Sequence, residues 1–195
     1  MKKVSTLLKK IIMYLIVRIH GLTIYRRIAR VLGYAIKIKE ADIEDMRKFY
    51  EWQNPEKENV YSYDPAITNF VAKISNKIIG FVQLTRCPEG NNLYSGYWLF
   101  SLITGVSYRG MGTGEKLSKK VIEKAINEGA IKLSLLVFED NHKAIRLYQK
   151  LGFKNRIIPA FEEELEKDRI SFNGRRRILM IKDLSPRKNK QEGTE

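Results

Sequence analysis

The chain has 195 residues, enough for one domain of ordinary size and a short extra segment. At 44% hydrophobic and 30% charged residues, its composition is globular and excludes wholesale disorder. A lone cysteine, Cys87, excludes a disulfide framework and any multi-cysteine metal site. The longest uncharged apolar run, residues 11–17, falls far short of the roughly 20 residues that span a bilayer as a helix.

A formal net charge of +14 would by itself point to nucleic acid. The distribution argues otherwise. Residues 1–39 hold ten Lys/Arg and no acid, and residues 175–195 hold seven Lys/Arg against three acids. Residues 40–174 carry nineteen of each sign. The excess therefore sits at the two ends rather than in any groove formed by the fold, and no nucleic-acid partner is expected.

Residues 1–33 form a basic, apolar extension. Within it, residues 22–33 read as an amphipathic helix, with Arg26, Arg27 and Arg30 on one arc and Ile24, Ile28, Val31 and Leu32 on the other. Such a helix either packs on the domain or on a second subunit of a homodimer, or lies in the headgroup plane of an anionic membrane. Residues 7–19 resemble the apolar part of a signal peptide, but Arg18 closes the run and no small-x-small site follows, so no cleavage is expected.

Alternating Ile36-Lys37-Ile38-Lys39 predicts a first strand. Asp42, followed by Glu44 and Asp45, opens a helix that runs to about Trp52. Residues 70–74 and 78–84 read as a hairpin turning through Ser75-Asn76-Lys77. A long aromatic strand is expected over residues 94–106, with Gly105 marking a bulge or a close backbone approach. Leu117, Val121, Ile122, Ala125 and Ile126 mark one face of a helix that Gly129 ends. A strand over 131–138, a helix over 141–151 stopped by Gly152, and a last strand over 177–181 follow. This alternation of strands and helices beside a hairpin implies an α/β fold: a mixed twisted sheet with helices on both faces.

The chemistry concentrates in Arg109-Gly110-Met111-Gly112-Thr113-Gly114, a glycine-rich turn between a strand and a helix. Three alternate glycines let backbone N–H groups converge with the helix N-terminus on an anion such as a diphosphate. The same pattern occurs in turns that bind nothing. It is not a Walker loop, because no Gly-Lys-Ser/Thr follows, and its spacing does not fit a dinucleotide fingerprint.

The turn resembles the R/Q-x-x-G-x-G/A acyl-CoA signature of the GNAT N-acetyltransferase superfamily. Residues 141–153, with Asn141, Ala144, Leu147, Tyr148, Gly152 and Phe153, resemble that family's N-x-x-A-x-x-L-Y-x-x-x-G-F segment. The likeness covers residues 35–183 and leaves out the extension and a polar tail over 184–195. It implies a GNAT fold and acetyl-CoA as co-substrate, with no metal. The turn 109–114 would hold the CoA diphosphate, and the strand end at Val106 would polarise the thioester carbonyl. Asn141 would lie near the pantetheine arm, and Tyr148 would protonate the departing thiolate.

Bland roles compete for two of these. Asn141 is also placed to cap its helix through the N–H of Lys143 or Ala144, and Tyr148 could be a packing residue. His142 reads as a surface helix residue. Cys87, with no neighbouring charge to lower its pKa, is not expected to be a nucleophile.

An attacking amine must be neutral. At pH 7 deprotonation costs about 4.6 kcal/mol for a lysine-like amine but only about 1.4 kcal/mol for an α-amine. GNAT members that acetylate protein amines often carry a glutamate on the central strands. Here residues 94–108 and 131–138 contain no acid, and Leu136 stands where the ribosomal-protein alanine acetyltransferases show glutamate. A base would be water or a loop carboxylate such as Glu139, Asp140 or Asp64. The expected function is acetyl-CoA-dependent transfer to a primary amine of a small molecule or amino sugar, in the cytoplasm or at the inner membrane face. The alternatives are a protein N-terminal amine as acceptor, or a non-catalytic acyl-CoA-binding module.

Overall fold

The computed structural model describes residues 36–53, 64–74, 76–90 and 93–185; the basic extension over 1–33 and residues 186–195 of the tail lie outside them. In chain order the elements are β1 (Lys37–Glu40), α1 (Ile43–Gln53), β2 (Ile67–Ile74), β3 (Lys77–Cys87) and β4 (Gly96–Thr104). After a one-turn 3-10 helix (Val106–Tyr108) come α2 (Thr113–Asn127), β5 (Lys132–Phe138), α3 (His142–Lys150), β6 (Lys154–Asn155), α4 (Pro159–Ser171) and β7 (Arg177–Asp183).

The strands form one sheet in the order β1-β2-β3-β4-β5-β7-β6. Neighbours are antiparallel except β4 and β5, which run parallel. Side chains on a strand alternate between faces, and β2 shows the consequence. Phe70 and Ala72 are buried with Leu117 and Val121 of α2, whereas Val71 between them joins Met46 and Phe49 of α1. Further along the sheet, Leu133, Leu135 and Met180 pack with Tyr148 of α3, while Trp98 and Leu179 pack with Phe161 of α4. Helices α2 and α3 thus cover one face, and α1 and α4 the other.

Local chemistry explains the helix limits. The Asp45 N–H donates to Asp42 Oδ1 at 2.8 Å, capping α1 where the sequence placed its start. Gly129 and Gly152, at φ +81° and +89°, follow the ends of α2 and α3 as expected. Asp45 itself is buried and accepts both Lys39 and Lys73 ammonium groups at 2.6 Å, tying α1 to β1 and β2.

Four expectations need correction. Helix α4 is absent from the sequence reading because it buries only Phe161 and Leu165 and carries no repeating apolar stripe. Ile126, assigned to the buried face of α2, is half exposed, and the core takes Leu117, Val121 and Ala125 instead. The long strand ends at Thr104, so Gly105 and Val106 lie beyond it; Gly105 marks a close approach, with Tyr108 Cδ2 3.2 Å from where its β-carbon would be. Leu184, placed in the tail, packs against the core and donates its N–H to Ile131 O at 2.9 Å.

Candidate active site

Two features of β4 open a cleft in the middle of the sheet. First, β4 and β5 pair only through Tyr97 with Leu133 and Trp98 with Ser134. Beyond that point β4 stays with β3 and β5 stays with β7, so the two parallel strands separate. Second, β4 carries a bulge. Three residue steps on β4, Phe100 to Ile103, match two on β3, Gln83 to Phe81, and Ser101 takes a left-handed φ of 54°. The extra residue reverses the alternation, so Leu102 packs on the same face as Leu99.

Between the diverging strands lies a cavity of about 290 Å³. Leu99, Phe100, Ser101 and Leu102 form one side and Leu136, Val137 and Phe138 the other. Asn141, Ala144 and Tyr148 of α3 line it, together with Phe172 and Arg177. Two larger surface hollows, of 610 and 540 Å³, lie along α4 and the Arg175–Arg176 segment and are bordered largely by charged side chains that pair with one another.

The glycine-rich turn follows β4 after Gly105 and the 3-10 helix. Gly110 and Gly112 both have φ +81°, a conformation that costs a residue with a β-carbon roughly 1 kcal/mol. Gly112 is the N-cap of α2, and no side chain caps that helix, so its first-turn N–H groups are available to an anion. A β-carbon on Gly112 would meet no protein atom within 4 Å, which leaves the N-terminus open to an approaching group. The turn therefore fits a diphosphate. Arg109 is exposed and its Nε donates to Thr104 O at 3.3 Å, holding the turn to the strand end. Met111 is half-buried, and Thr113 is buried beneath the turn. Val106 is 61% exposed in the 3-10 turn rather than on the strand edge.

Tyr148 is buried at the inner wall, its ring edge-on to Phe153 at 5.7 Å. Burial pushes its hydroxyl pKa up to about 12. The hydroxyl stays protonated across the physiological range and can act as a donor. Asn141 caps α3, with Oδ1 accepting the Ala144 N–H at 3.2 Å, and also lines the cavity. Capping occupies Oδ1 and does not use the amide N–H groups. His142 is exposed, and burial raises the Cys87 thiol pKa, so the cysteine is not an activated nucleophile.

Among the described residues, no Asp, Glu or His lines the cavity. Asp140 receives both arms of Arg175, at 2.9 and 2.7 Å, and that contact holds its carboxyl below the ordinary range. It is a poor proton acceptor. Glu139 lies 4.0 Å from Arg176, and Asp64 Oδ1 accepts the Ala66 N–H at 2.8 Å. The sequence reading missed Phe100, Phe138, Phe172 and Arg177 as wall residues. No motif marks them, and they meet only because β4 parts from the paired strands β5 and β7. No group of three or more His, Cys, Asp or Glu arranged for a metal ion occurs among the described residues. Among those residues no helix is long and apolar enough to cross a membrane.

A sheet parted between two parallel strands, with a glycine turn and an uncapped helix at its edge, defines an acyl-CoA transferase architecture. The profile of the acetyltransferase (GNAT) family matches residues 36–153, and the chain belongs to that family. It is 36% identical over 80 residues to a thialysine N-epsilon-acetyltransferase from Sus scrofa, covering 35% of this chain and 46% of that one. It is 33% identical over 110 residues to a spermine/spermidine N(1)-acetyltransferase from Bacillus subtilis, covering 55% of this chain and 64% of that one. The chain thus spans about half to two thirds of these relatives. The fold also matches a crystal structure of a Bacillus subtilis acetyltransferase in complex with CoA, at TM-score 0.58 and 19% identity, over 76% of this chain and 99% of that one.

Proposed function

We propose that the protein is an acetyl-CoA-dependent N-acetyltransferase that moves an acetyl group directly to a primary amine of a small molecule. The observation that carries this reading is the position of Tyr148. Tyr148, whose hydroxyl is held protonated by burial, lines the cleft between β4 and β5, and the adjacent helix α2 offers an uncapped N-terminus at the turn 109–114. The names of the relatives, which refer to thialysine and polyamine acetylation, support a small-molecule amine as acceptor.

In this mechanism the N–H groups of the turn 109–114 and the first turn of α2 hold the diphosphate. The edge of β4 beyond Trp98, which has no strand partner on the β5 side, offers backbone N–H and C=O groups to the amides of the pantetheine arm. Asn141 contributes its amide N–H groups from the opposite wall. The apolar rings of Phe100 and Phe138 keep water from the thioester. The neutral acceptor amine attacks the acetyl carbon, the carbon–sulfur bond breaks, and Tyr148 gives its proton to the departing thiolate. With no carboxylate among the described residues of the wall, the amine loses its proton to water before or during attack. This favours acceptors of modest basicity, such as an α-amine or an amino sugar.

Amine-dependent release of free CoA thiol from acetyl-CoA tests the reading, with amino sugars, amino acids, peptides and polyamines as acceptors. The reading requires turnover on at least one. Tight CoA binding without turnover on any of them would make the protein a non-catalytic acyl-CoA-binding module.

A further inference from the structure

Among the described residues that line the cavity only one is charged, Arg177 at the start of β7. Its Nη2 donates to Asp168 on α4, and its guanidinium lies over the Phe172 ring, 4.7 Å from the centroid. Its Nε is buried and has no hydrogen-bond partner. A guanidinium is always charged and presents five N–H donors in a planar fork. One carboxylate contact leaves Nε and part of that fork without a protein partner, in a described wall built mostly of aromatic and aliphatic side chains.

Each described carboxylate around this end of the cleft faces an arginine, Glu139 only at 4.0 Å from Arg176. Asp168 is held by Arg177, Asp140 by both arms of Arg175, and Glu162 by Arg176. Arg175 also covers the Phe138 ring at 3.9 Å. A polycation entering the cleft would meet an arginine and, among the described residues of the wall, no carboxylate. An anion would meet a guanidinium partly stripped of water by Phe172, where attraction is stronger than in bulk solvent. Arginine's fork matches carboxylate and phosphate alike.

Resting on the transferase reading above, we infer that the acceptor carries an anionic group, carboxylate or phosphate, and that Arg177 binds it and sets this specificity. The acceptor's amine then lies toward Tyr148 on the inner wall, and its anionic end points toward β7. Arg177 is a binding residue in this arrangement; Asp168 and Phe172 position it.

The experiment compares matched amines: glucosamine 6-phosphate against glucosamine, alanyl-alanine against its C-terminal amide, and spermidine. For the wild-type protein, kcat/KM for an anionic member exceeds that of its counterpart lacking the anionic group on the order of tenfold or more. The excess shrinks as salt is raised, and spermidine is the poorest acceptor. The pair showing the excess tells phosphate from carboxylate. Arg177→Gln removes the excess, and Arg177→Lys, which keeps the charge without the fork, retains part of it. The wild-type pairs need no variant, so a poorly folding Arg177→Gln does not blunt the test. Equal kcat/KM within both pairs, or a preference for spermidine, overturns the inference and leaves the transferase reading intact. If no amine is acetylated, calorimetry of the same compounds with the CoA-loaded protein decides. Tighter binding of the anionic members keeps the anion site and removes the transferase reading; equal or absent binding removes both.

Discussion

The tip of Leu147, Cδ2, lies 3.3 Å from the point where a β-carbon on Gly114 would sit. The glycine turn and the helix that carries Tyr148 therefore touch across a gap only glycine leaves. Close by, Lys150 Nζ pairs with Glu115 Oε2 at 2.7 Å, so α3 is fixed to the start of α2 by a polar contact as well. That contact and a second one from Lys119 hold the Glu115 carboxyl down to about 2. Two sequence motifs far apart in the chain are thus one structural unit.

Enlarging Gly114 should push α3 off α2. Gly114→Ala asks Leu147 to yield by a few tenths of an ångström, and Gly114→Val asks for more. We expect Gly114→Val to cost about 1–3 kcal/mol, read from the urea midpoint, and to lower kcat more than Gly114→Ala does. Identical rates and midpoints for the two variants and the wild type would contradict the packing argument.

Gly112 differs, because a β-carbon there meets no protein atom. Gly112→Ala should lose only about 1 kcal/mol of stability through its left-handed φ. Its effect should fall on the KM for acetyl-CoA, which rises, and Gly112→Val should raise it further. A folded Gly112→Val protein with an unchanged KM would remove the diphosphate from this turn.

Asp45 is set between opposing effects. Burial raises its pKa, but hydrogen bonds from Lys39 and Lys73 outweigh burial and leave it below the ordinary carboxylate value. Its contribution to stability is therefore present above the unfolded-state value of 3.8 and lost as pH falls through the folded value. Asp45→Asn leaves Lys73 without its partner in a mostly buried site and should cost about 3 kcal/mol at neutral pH. Its unfolding free energy should then depend less on pH in the acid range. A wild-type-like acid limb in the variant would assign acid sensitivity elsewhere.

At the alkaline end, Tyr148 has the opposite sign. Its folded pKa of about 12 lies above the unfolded value of 10.0, so the unfolded chain releases this proton first. Stability should be unaffected by this group below pH 10 and should fall between about 10 and 12. Tyr148→Phe should show a shallower alkaline loss in a urea titration series, and an unchanged loss would contradict the burial of the hydroxyl.

Much of this architecture was legible because periodic burial follows from periodic sequence. The α2 face of Leu117, Val121 and Ala125, the capped start of α1 and the glycine stops after α2 and α3 all carry local signals. Helix α4 carried none, since two buried residues make no stripe. The left-handed Ser101 was not legible either, because nothing about a serine demands that conformation; the mismatch between β3 and β4 imposes it. The turn and Tyr148 could be marked from motifs alone. Arg177 and Phe172 reach the cavity only through the divergence of β4 and β5, a tertiary event that leaves no trace in either segment.

The central claim is that Tyr148 acts as the acid in acetyl transfer to an amine. Amine-dependent thiol release by wild type and Tyr148→Phe, under conditions where chemistry limits the rate, tests it most directly. The account predicts that Tyr148→Phe lowers kcat on the order of 10²–10⁴ while CoA affinity changes little. A loss of less than about threefold would make Tyr148 a packing residue and contradict the mechanism.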